Sequence, residues 1–335
     1  MLVDGGIGSD LAKAAAQARG QEELGFDGLW AAETNHDPFL ALTLAAEHTE
    51  RIELGTGIAV AFARSPMTLA QTAYNLNAFA EGLVHPRWIE VLPNGDVLVA
   101  EALGPVGRPT ISAFSLAINA TMRRAGAIGV SANRISLLRD ADGDGVAEER
   151  HTLLENLNHP FGMALVGDTL YVAHMDGVFA YPFTLGETRI KAPGRRLSTY
   201  KTHGHWTRNL IVSADQTKLY VSVGSFSNIG DAGMEAEEGR ACIFEIDLKT
   251  EQSRLFASGL RNPVGLAFEP STRALWTVVN ERDGIGDETP PDYLTSVRDG
   301  GFYGWPFSYW DRVVDDRVPQ NAAMVAQSIQ PDFAL

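Results

Sequence analysis

The spacing of apolar residues divides the chain into two parts that favour different secondary structure. Before about residue 82, strand-like apolar runs alternate with helical periodicity. The segment LAKAAAQARGQEELGF has helical spacing, with Ser9 or Asp10 as its N-cap and Gly25 as its C-cap. Two further helices are predicted to open at the pairs Asp37-Pro38 and Ser65-Pro66. Between them, DGLWAAE and RIELGTGIAVAF read as strands, and this alternation predicts βαβ units with a parallel sheet.

From about residue 83 the helical periodicity disappears, and short β-rich runs alternate with turn residues. One unit recurs, with a polar residue, an apolar strand, a tight turn and a second apolar strand. Its copies are HPRWIEVLPNGDVLVAEA, HPFGMALVGDTLYVAHMDG, HWTRNLIVSADQTKLYVSVGS and NPVGLAFEPSTRALWTVVNERD, which start at His85, His159, His205 and Asn262. These starts lie 74, 46 and 57 residues apart.

A period near 50 with several strands per unit is typical of a β-propeller with one four-stranded blade per repeat. A β-sandwich is the competing architecture, but it does not explain a repeated strand-opening residue. Because the innermost strand of each blade starts near the central channel, His205, His159 and Asn262 are predicted to converge on one site. A function for His205 thereby becomes more plausible, whereas His203 is expected to be a solvated loop residue.

Composition narrows the possible functions. The chain has 335 residues and a formal net charge of −15, which argues against nucleic acid as a partner. Cys242 is the single cysteine, so an intramolecular disulfide and a CxxC metal site are excluded. Apolar runs are too short for a membrane span. The N-terminus lacks the charge and apolar pattern of a signal peptide, so no signal peptide is expected, and the sequence leaves the compartment open.

The segment DADGDG places carboxylates at Asp140, Asp142 and Asp144, followed by Gly145. Alternate carboxylates before a glycine are typical of the start of a calcium loop. The twelfth position would be His151 instead of glutamate, which breaks the EF-hand pattern. A structural calcium site and a simple acidic turn therefore both remain open.

Residues 83–335 resemble the glucose/sorbosone dehydrogenase family, most closely its sorbosone dehydrogenase branch. The resemblance is carried by long ordered motifs, among them SANRISLLRDADGDGVAEER, NHPFGMALVGDTLYVA, FASGLRNPVGLAFEP and DYLTSVRDGGFYGWPFSYW. It implies a six-bladed propeller that binds pyrroloquinoline quinone (PQQ) and calcium. Such proteins oxidise sugars, pass the electrons to an external acceptor and are usually periplasmic.

The resemblance also assigns roles to individual residues. In the motif HWTRN, His205 matches the family's catalytic base, and Arg208 is expected to contribute to cofactor binding. In GLRNPVGLAF, Arg261 and Asn262 match a pair beside the quinone, where Arg261 would polarise a quinone carbonyl. The competing interpretation of Arg261 is a salt bridge between blades.

The segment NERDGIGD matches the family's calcium loop, with Glu281, Asp283 and Gly284 nearest the expected ligands. The family commonly has Gly-Pro there to donate backbone carbonyls, whereas this chain has Asp283-Gly284. This difference puts the individual ligands in doubt.

Residues 1–82 are similar to the start of luciferase-like monooxygenases of the deazaflavin-dependent type, a TIM-barrel family. The carrying stretch is ELGFDGLWAAETNHDPFLALTLAAEHTERIELGTGIAVAFARSPMTLAQTAYNLNAFAEG. About three of the eight strands precede the change in pattern. Glu33, His36 and Asp37 would therefore lack an opposing barrel wall and are expected to be inert.

The sequence thus predicts a mainly β fold, an incomplete six-bladed-type propeller of about four blades, preceded by a small α/β fragment of TIM-barrel type. An open ring would leave unpaired edges that favour oligomers. The leading function is a PQQ-dependent sugar (sorbosone or aldose) dehydrogenase, impaired if the ring is truncated. The alternatives are a non-catalytic propeller that binds or scaffolds, and a flavin- or deazaflavin-dependent oxidoreductase carried by residues 1–82.

Overall fold

The computed structural model describes residues 4–7, 11–32, 42, 45–58, 79–105, 129–286, 289–310 and 312–335. The chain forms two compact units, Met1–Glu81 and Gly82–Leu335. Glu33 and His36 lie outside the described residues, as do the openings of the helices predicted at Asp37 and Ser65. Within the described part of the chain, no helix combines the length and apolar character that a membrane span requires.

The first unit contains a three-stranded parallel sheet and one well-defined helix. The sheet has the order β1 (Asp4–Ile7), β2 (Gly28–Ala32), β3 (Glu53–Ile58), and α1 spans Leu11–Glu23. The predicted parallel sheet is confirmed. One face of α1 packs into a small apolar core whose members are Ala14, Ala18, Leu29, Leu42, Ala45 and Ile52.

The end of α1 is fixed to the start of β3 by one carboxylate. Glu22 accepts hydrogen bonds from the backbone N–H groups of Glu50, Arg51 and Ile52, at 2.9, 2.6 and 2.9 Å. These bonds lower the pKa of Glu22 because they stabilise its ionised form. Gly25 has φ of +83°, as the predicted C-cap requires.

The second unit is built from four antiparallel sheets that follow one another along the chain. Blade 1 contains β4 (Pro86–Val91), β5 (Val97–Glu101), β6 (Arg134–Arg139) and β7 (Glu149–Leu154). Blade 2 contains β8 (Met163–Val166), β9 (Thr169–His174), β10 (Gly177–Pro182) and β11 (Arg195–Arg196). Blade 3 contains β12 (Leu210–Val212), β13 (Lys218–Val223), β14 (Cys242–Asp247) and β15 (Ser253–Ser258).

Blade 4 contains β16 (Asn262–Phe268), β17 (Leu275–Asn280), β18 (Tyr293–Val297) and β22 (Phe333–Ala334). The segment before β22 returns to blade 3, where β19 (Gly301–Phe302) pairs in parallel with β15. A small hairpin of β20 (Ser308–Tyr309) and β21 (Val313–Val314) and the short helix α2 (Ala322–Gln327) complete the unit.

The blades pack side by side, as in a propeller. The first strands of successive blades contact one another, β4 with β8, β8 with β12 and β12 with β16. Three apolar clusters fill the spaces between neighbouring blades. A Cβ added at Gly162 would lie 2.3 Å from the backbone nitrogen of Leu210, so blade 2 can approach blade 3 only with glycine there. The predicted four-bladed propeller arrangement is confirmed.

Burial along the central strands differs between the blades. In β9 and β13 almost every residue is buried, because both faces of these sheets are covered. In β17 and β18 buried residues alternate with half-exposed ones, among them Trp276, Val278 and Leu294. Phe333 of β22 stacks on Trp276 at 6.1 Å between ring centroids. Within this unit, one face of blade 4 is therefore only partly covered by described residues.

Candidate functional site

His205 lies in the loop that opens blade 3, where its imidazole is held by one residue. Its Nδ1 lies 2.9 Å from the carbonyl oxygen of Ser225 and 3.0 Å from the Ser225 hydroxyl. That hydroxyl donates its own hydrogen to the carbonyl of Ser227 at 2.7 Å, so it can only accept from the ring. Nδ1 therefore carries the hydrogen, and Nε2 keeps a lone pair with no partner among the described residues.

Two buried arginines hold this loop through backbone carbonyls. Arg240 lies 2.6 to 2.9 Å from five carbonyl oxygens, those of Lys201, His203, His205, Gly224 and Ser225. Arg208 is fully buried and donates to the carbonyls of Lys201, His205 and Thr207. The Nη donors of Arg208 are thus directed to carbonyls of this loop, and its predicted contact with a cofactor stays a prediction.

The surroundings of His205 favour the neutral imidazole. Burial, reinforced by the positive charges of Arg261, Arg240 and Arg208, lowers the pKa of His205 to about 4, although the bond to Ser225 opposes this shift. The ring is therefore unprotonated at neutral pH. A group in this state can accept a proton but cannot donate one.

Gly224, the residue after β13, brings His205 and Asn262 together. A Cβ added at Gly224 would lie 2.2 Å from Asn262 Oδ1 and 2.7 Å from His205 Cβ, so both side chains flank this glycine. Asn262 is buried, and its Oδ1 has no hydrogen-bond partner among the described residues. A buried unpaired acceptor is unfavourable unless a ligand or water completes it.

Arg261 directly precedes Asn262, but its N–H groups already donate hydrogen bonds to oxygens of this chain. Its guanidinium donates to the Asn228 carbonyl at 3.1 Å, to Asn228 Oδ1 at 2.7 Å and to the carbonyls of Asn280 and Glu281. The fifth donor reaches the Asp283 carboxylate at 3.4 Å. All five N–H groups are thus occupied. Arg261 links the opening of blade 4 to the loop after β17.

The predicted calcium ligands of that loop have different surroundings. Glu281 is 4% exposed, and burial raises its pKa to about 7. Its Oε1 accepts from the N–H of Arg282 at 2.9 Å. The side chain of Asp283 is 85% exposed, and Gly284 has φ of +89°. One carboxyl is therefore buried and the other lies in solvent.

The acidic loop after β6 does gather its carboxylates. Oxygens of Asp140, Asp142, Asp144 and Glu148 lie within 4.8 Å of one another, in an arrangement that could hold a metal ion. Glu148 is the residue that sequence reasoning missed, although it stands ninth in the loop. His151, at the twelfth position, contacts Glu149 at 3.1 Å.

His159, another strand-opening residue, belongs to an aromatic cluster around Trp206, the residue after His205. The rings of His159 and Phe161 lie edge-on to Trp206, at 5.8 and 6.0 Å. Arg87 lies over the same indole, 5.5 Å from the ring centroid, and its Nε donates to the Ala102 carbonyl at 2.7 Å. Burial lowers the pKa of Arg87, which has no carboxylate partner among the described residues. Nothing in the sequence pattern singled out Arg87.

Comparisons with known proteins separate the two parts of the chain. The TrAA12-like family model matches residues 68–292, and the luciferase-like monooxygenase model matches residues 2–82. An uncharacterised protein of Mycobacterium tuberculosis is 56% identical over 82 residues, which are 24% of each chain. A pyrroloquinoline quinone-dependent sugar dehydrogenase of Hypocrea jecorina is 24% identical over 274 residues, 73% of this chain and 57% of that protein. The chain thus spans only part of these relatives.

Solved structures share the propeller fold. A calcium structure of the Trichoderma reesei carbohydrate-active enzyme of family AA12 superposes with a TM-score of 0.60 at 20% identity, covering 76% of this chain and 69% of that one. The PQQ domain of Coprinopsis cinerea pyranose dehydrogenase superposes with a TM-score of 0.58 at 17% identity, covering 76% and 66%. The resemblance to PQQ sugar dehydrogenases and to a luciferase-like monooxygenase fragment is confirmed. Because the family model covers more than half of the chain, this protein belongs to the TrAA12-like family.

Proposed function

We propose that this protein oxidises a sugar with PQQ as the electron acceptor and with His205 as the general base. The observation that carries the proposal is the tautomer of His205. Its Nδ1 hydrogen is committed to Ser225, so Nε2 presents a lone pair on the ring's other side. A sugar hydroxyl can give its proton to such a nitrogen while hydride leaves the carbon.

The surroundings of His205 fit this role in one respect and limit it in another. A pKa of about 4 keeps the imidazole of His205 unprotonated at neutral pH, but it also makes the imidazole a weak base. The carbonyl of Ser225 accepts from Nδ1 and would stabilise the imidazolium once Nε2 is protonated. The contact therefore fixes the ring and supports the positive charge that forms.

Residues beside His205 could hold the cofactor. PQQ would supply the two-electron oxidation when it is bound. The unpaired Oδ1 of Asn262 offers an acceptor, and the missing side chain of Gly224 lets Asn262 and His205 pack next to the same backbone position. Arg261 would first have to release a bond. Its contact with Asp283 is the weakest, because it measures 3.4 Å and the carboxylate is exposed.

Calcium is proposed at two places. The loop of Glu281, Asp283 and Gly284 offers oxygen ligands near Arg261, with the backbone carbonyls as the more plausible donors because the two carboxylates lie apart. The loop of Asp140, Asp142, Asp144 and Glu148 would hold a structural ion far along the chain from His205. A hard cation suits both sets of oxygens.

The substrate class rests on relatives. The fungal relative is a sugar dehydrogenase, so a sugar is the proposed substrate, and sorbosone or an aldose is the specific proposal. An external electron acceptor would complete the turnover. Oligomers through open propeller edges stay a prediction.

Reconstitution tests the proposal. The full-length protein is incubated with PQQ and calcium, and dye reduction is followed with aldoses and sorbosone. His205→Gln should lower kcat by about 10²- to 10⁴-fold, the usual contribution of a general base, with little change in Tm. His203→Gln is the matched control, because His203 is an exposed ring on the same loop.

The outcomes separate the candidate functions. Dye reduction that His205→Gln abolishes and His203→Gln preserves supports the dehydrogenase. A folded protein that neither binds PQQ nor reduces the dye overturns it and favours a non-catalytic propeller. Flavin or deazaflavin binding by the chain would instead point to residues 1–82.

A further inference from the structure

Arg240 makes an unusual set of contacts for a buried cation. Its Nε donates to the carbonyl of Gly224 at 2.7 Å, and its Nη atoms donate to the carbonyls of Lys201, His205 and Ser225. The carbonyls of Lys201, His203 and His205 belong to the loop before β12, and those of Gly224 and Ser225 follow β13. One guanidinium therefore joins the segment that carries His205 to the segment that orients it.

Arg208 and Arg240, which donate to the carbonyls of the loop before β12, are buried cations without an ion-pair partner among the described residues. Neither Arg208 nor Arg240 lies within bonding distance of a carboxylate among the described residues. The nearby carboxylate of Glu237 instead accepts from the N–H groups of Phe226 and Ser227, at 2.7 and 2.8 Å. The positive charges of Arg208 and Arg240, close to His205, are therefore only weakly balanced by negative charge.

We propose that Arg240 and Arg208 are positioning residues for His205. Arg240 holds the imidazole against Ser225 with Nε2 free, and Arg208 fixes the same loop through the carbonyls of Lys201, His205 and Thr207. The catalytic part of this assignment rests on the proposed function. The effect on the state of His205 does not, because it can be measured without cofactor or substrate.

Three cations face His205 from the elements packed around it. Arg261 precedes β16, Arg240 precedes β14 and Arg208 lies on the same loop. The carboxylates beside two of these cations are already engaged, Glu237 with backbone N–H groups and Asp283 with Arg261. Removing one guanidinium should therefore raise the pKa of His205 by about one unit, since a nearby like charge commonly shifts a pKa by that much or more.

Histidine NMR of the full-length protein tests the proposal, with the His205 resonances assigned by their loss in His205→Gln. In the parent, ¹⁵N shifts should report hydrogen on Nδ1, and the ring should titrate near pH 4. Arg208→Met and Arg240→Met should each raise the titration midpoint to about 5. Arg240→Lys keeps the charge but cannot reach five carbonyls, so it should leave the midpoint low and give a mixture of tautomers.

Arg254→Met is the control, because Arg254 lies in the same blade and pairs with Glu245 and Asp299. It should leave the His205 signals unchanged. The proposal is wrong if folded Arg208→Met keeps the parent's midpoint and folded Arg240→Lys keeps the parent's single tautomer. These two variants decide the matter even if Arg240→Met fails to fold. Absence of dye reduction in the parent would count against the proposed function alone.

Discussion

Gly224→Ala tests the closest contact at the site. The added Cβ would lie 2.2 Å from Asn262 Oδ1 and 2.7 Å from His205 Cβ, whereas uncrowded non-bonded contacts measure about 3.5 Å. Each side chain would have to retreat by roughly 1 Å. His205 cannot yield freely, because its N–H and its ring are both bonded to Ser225. We expect a cost of about 1–3 kcal/mol in the free energy of unfolding, which is typical of overpacking.

The same displacement should affect catalysis more strongly than stability. A shift of about 1 Å in a reacting group commonly lowers the rate by about 10²-fold. Urea denaturation measures the first effect and kcat with PQQ and calcium the second. Gly20→Ala, in α1 and outside both proposed calcium loops, is the control, since a Cβ there would meet no atom within 4 Å and neither measurement should fall. If Gly224→Ala matches the parent in both measurements, His205 and Asn262 do not flank Gly224 as described.

Three further predictions concern the scaffold and the acidic loop. Leu137→Ala, in the fully buried cluster between blades 1 and 2, should cost about 2–5 kcal/mol in urea denaturation, whereas the exposed Leu255→Ala should change stability by less than about 0.5 kcal/mol. Burial raises the pKa of Glu101, but bonds led by that from Arg134 outweigh it and lower the pKa overall. Glu101→Gln should therefore cost about 2–3 kcal/mol at pH 7, and its difference from the parent should shrink as the pH falls through that lowered pKa. Asp142→Asn should weaken calcium binding in calorimetry at least several-fold, and an unchanged affinity would exclude that loop as the site.

The architecture could be predicted because it repeats. Each blade shows the same sequence of strand, turn and strand, and the first strand always follows a polar residue. That regularity also places His205 and Asn262 at equivalent repeat positions, and in the structure both side chains flank Gly224. The two residues are far apart in sequence, but their repeat positions place them at the same end of adjacent blades.

The surroundings of the site could not be predicted in the same way. Ser225 and Arg240 act through carbonyl contacts that depend on how loops fold back, and no residue spacing records this. Two of the hydrogen bonds that Arg261 donates are accepted by Asn228, which lies in a long loop without strand periodicity. Sequence therefore indicated which residues gather, but it did not indicate which of their donors remain available.

The two loops proposed for calcium differ in how their carboxylates are arranged, for a physical reason. In the loop from Asp140 to Glu148, side-chain and backbone contacts within one tight turn bring the carboxylates together, so local sequence suffices. In the loop after β17, the strand has already ended at Asn280. Glu281 and Asp283 consequently do not share the surroundings that alternate residues of a strand would have, because Glu281 is buried and Asp283 is exposed.

The most direct test of the central claim is a crystal structure of the full-length protein grown with PQQ and calcium. The account predicts quinone density beside Gly224, with Asn262 Oδ1 engaged and the ring of His205 facing the ligand through Nε2. Density at another place on the propeller, or no quinone density at saturating PQQ with His205 hydrogen-bonded elsewhere, would contradict it.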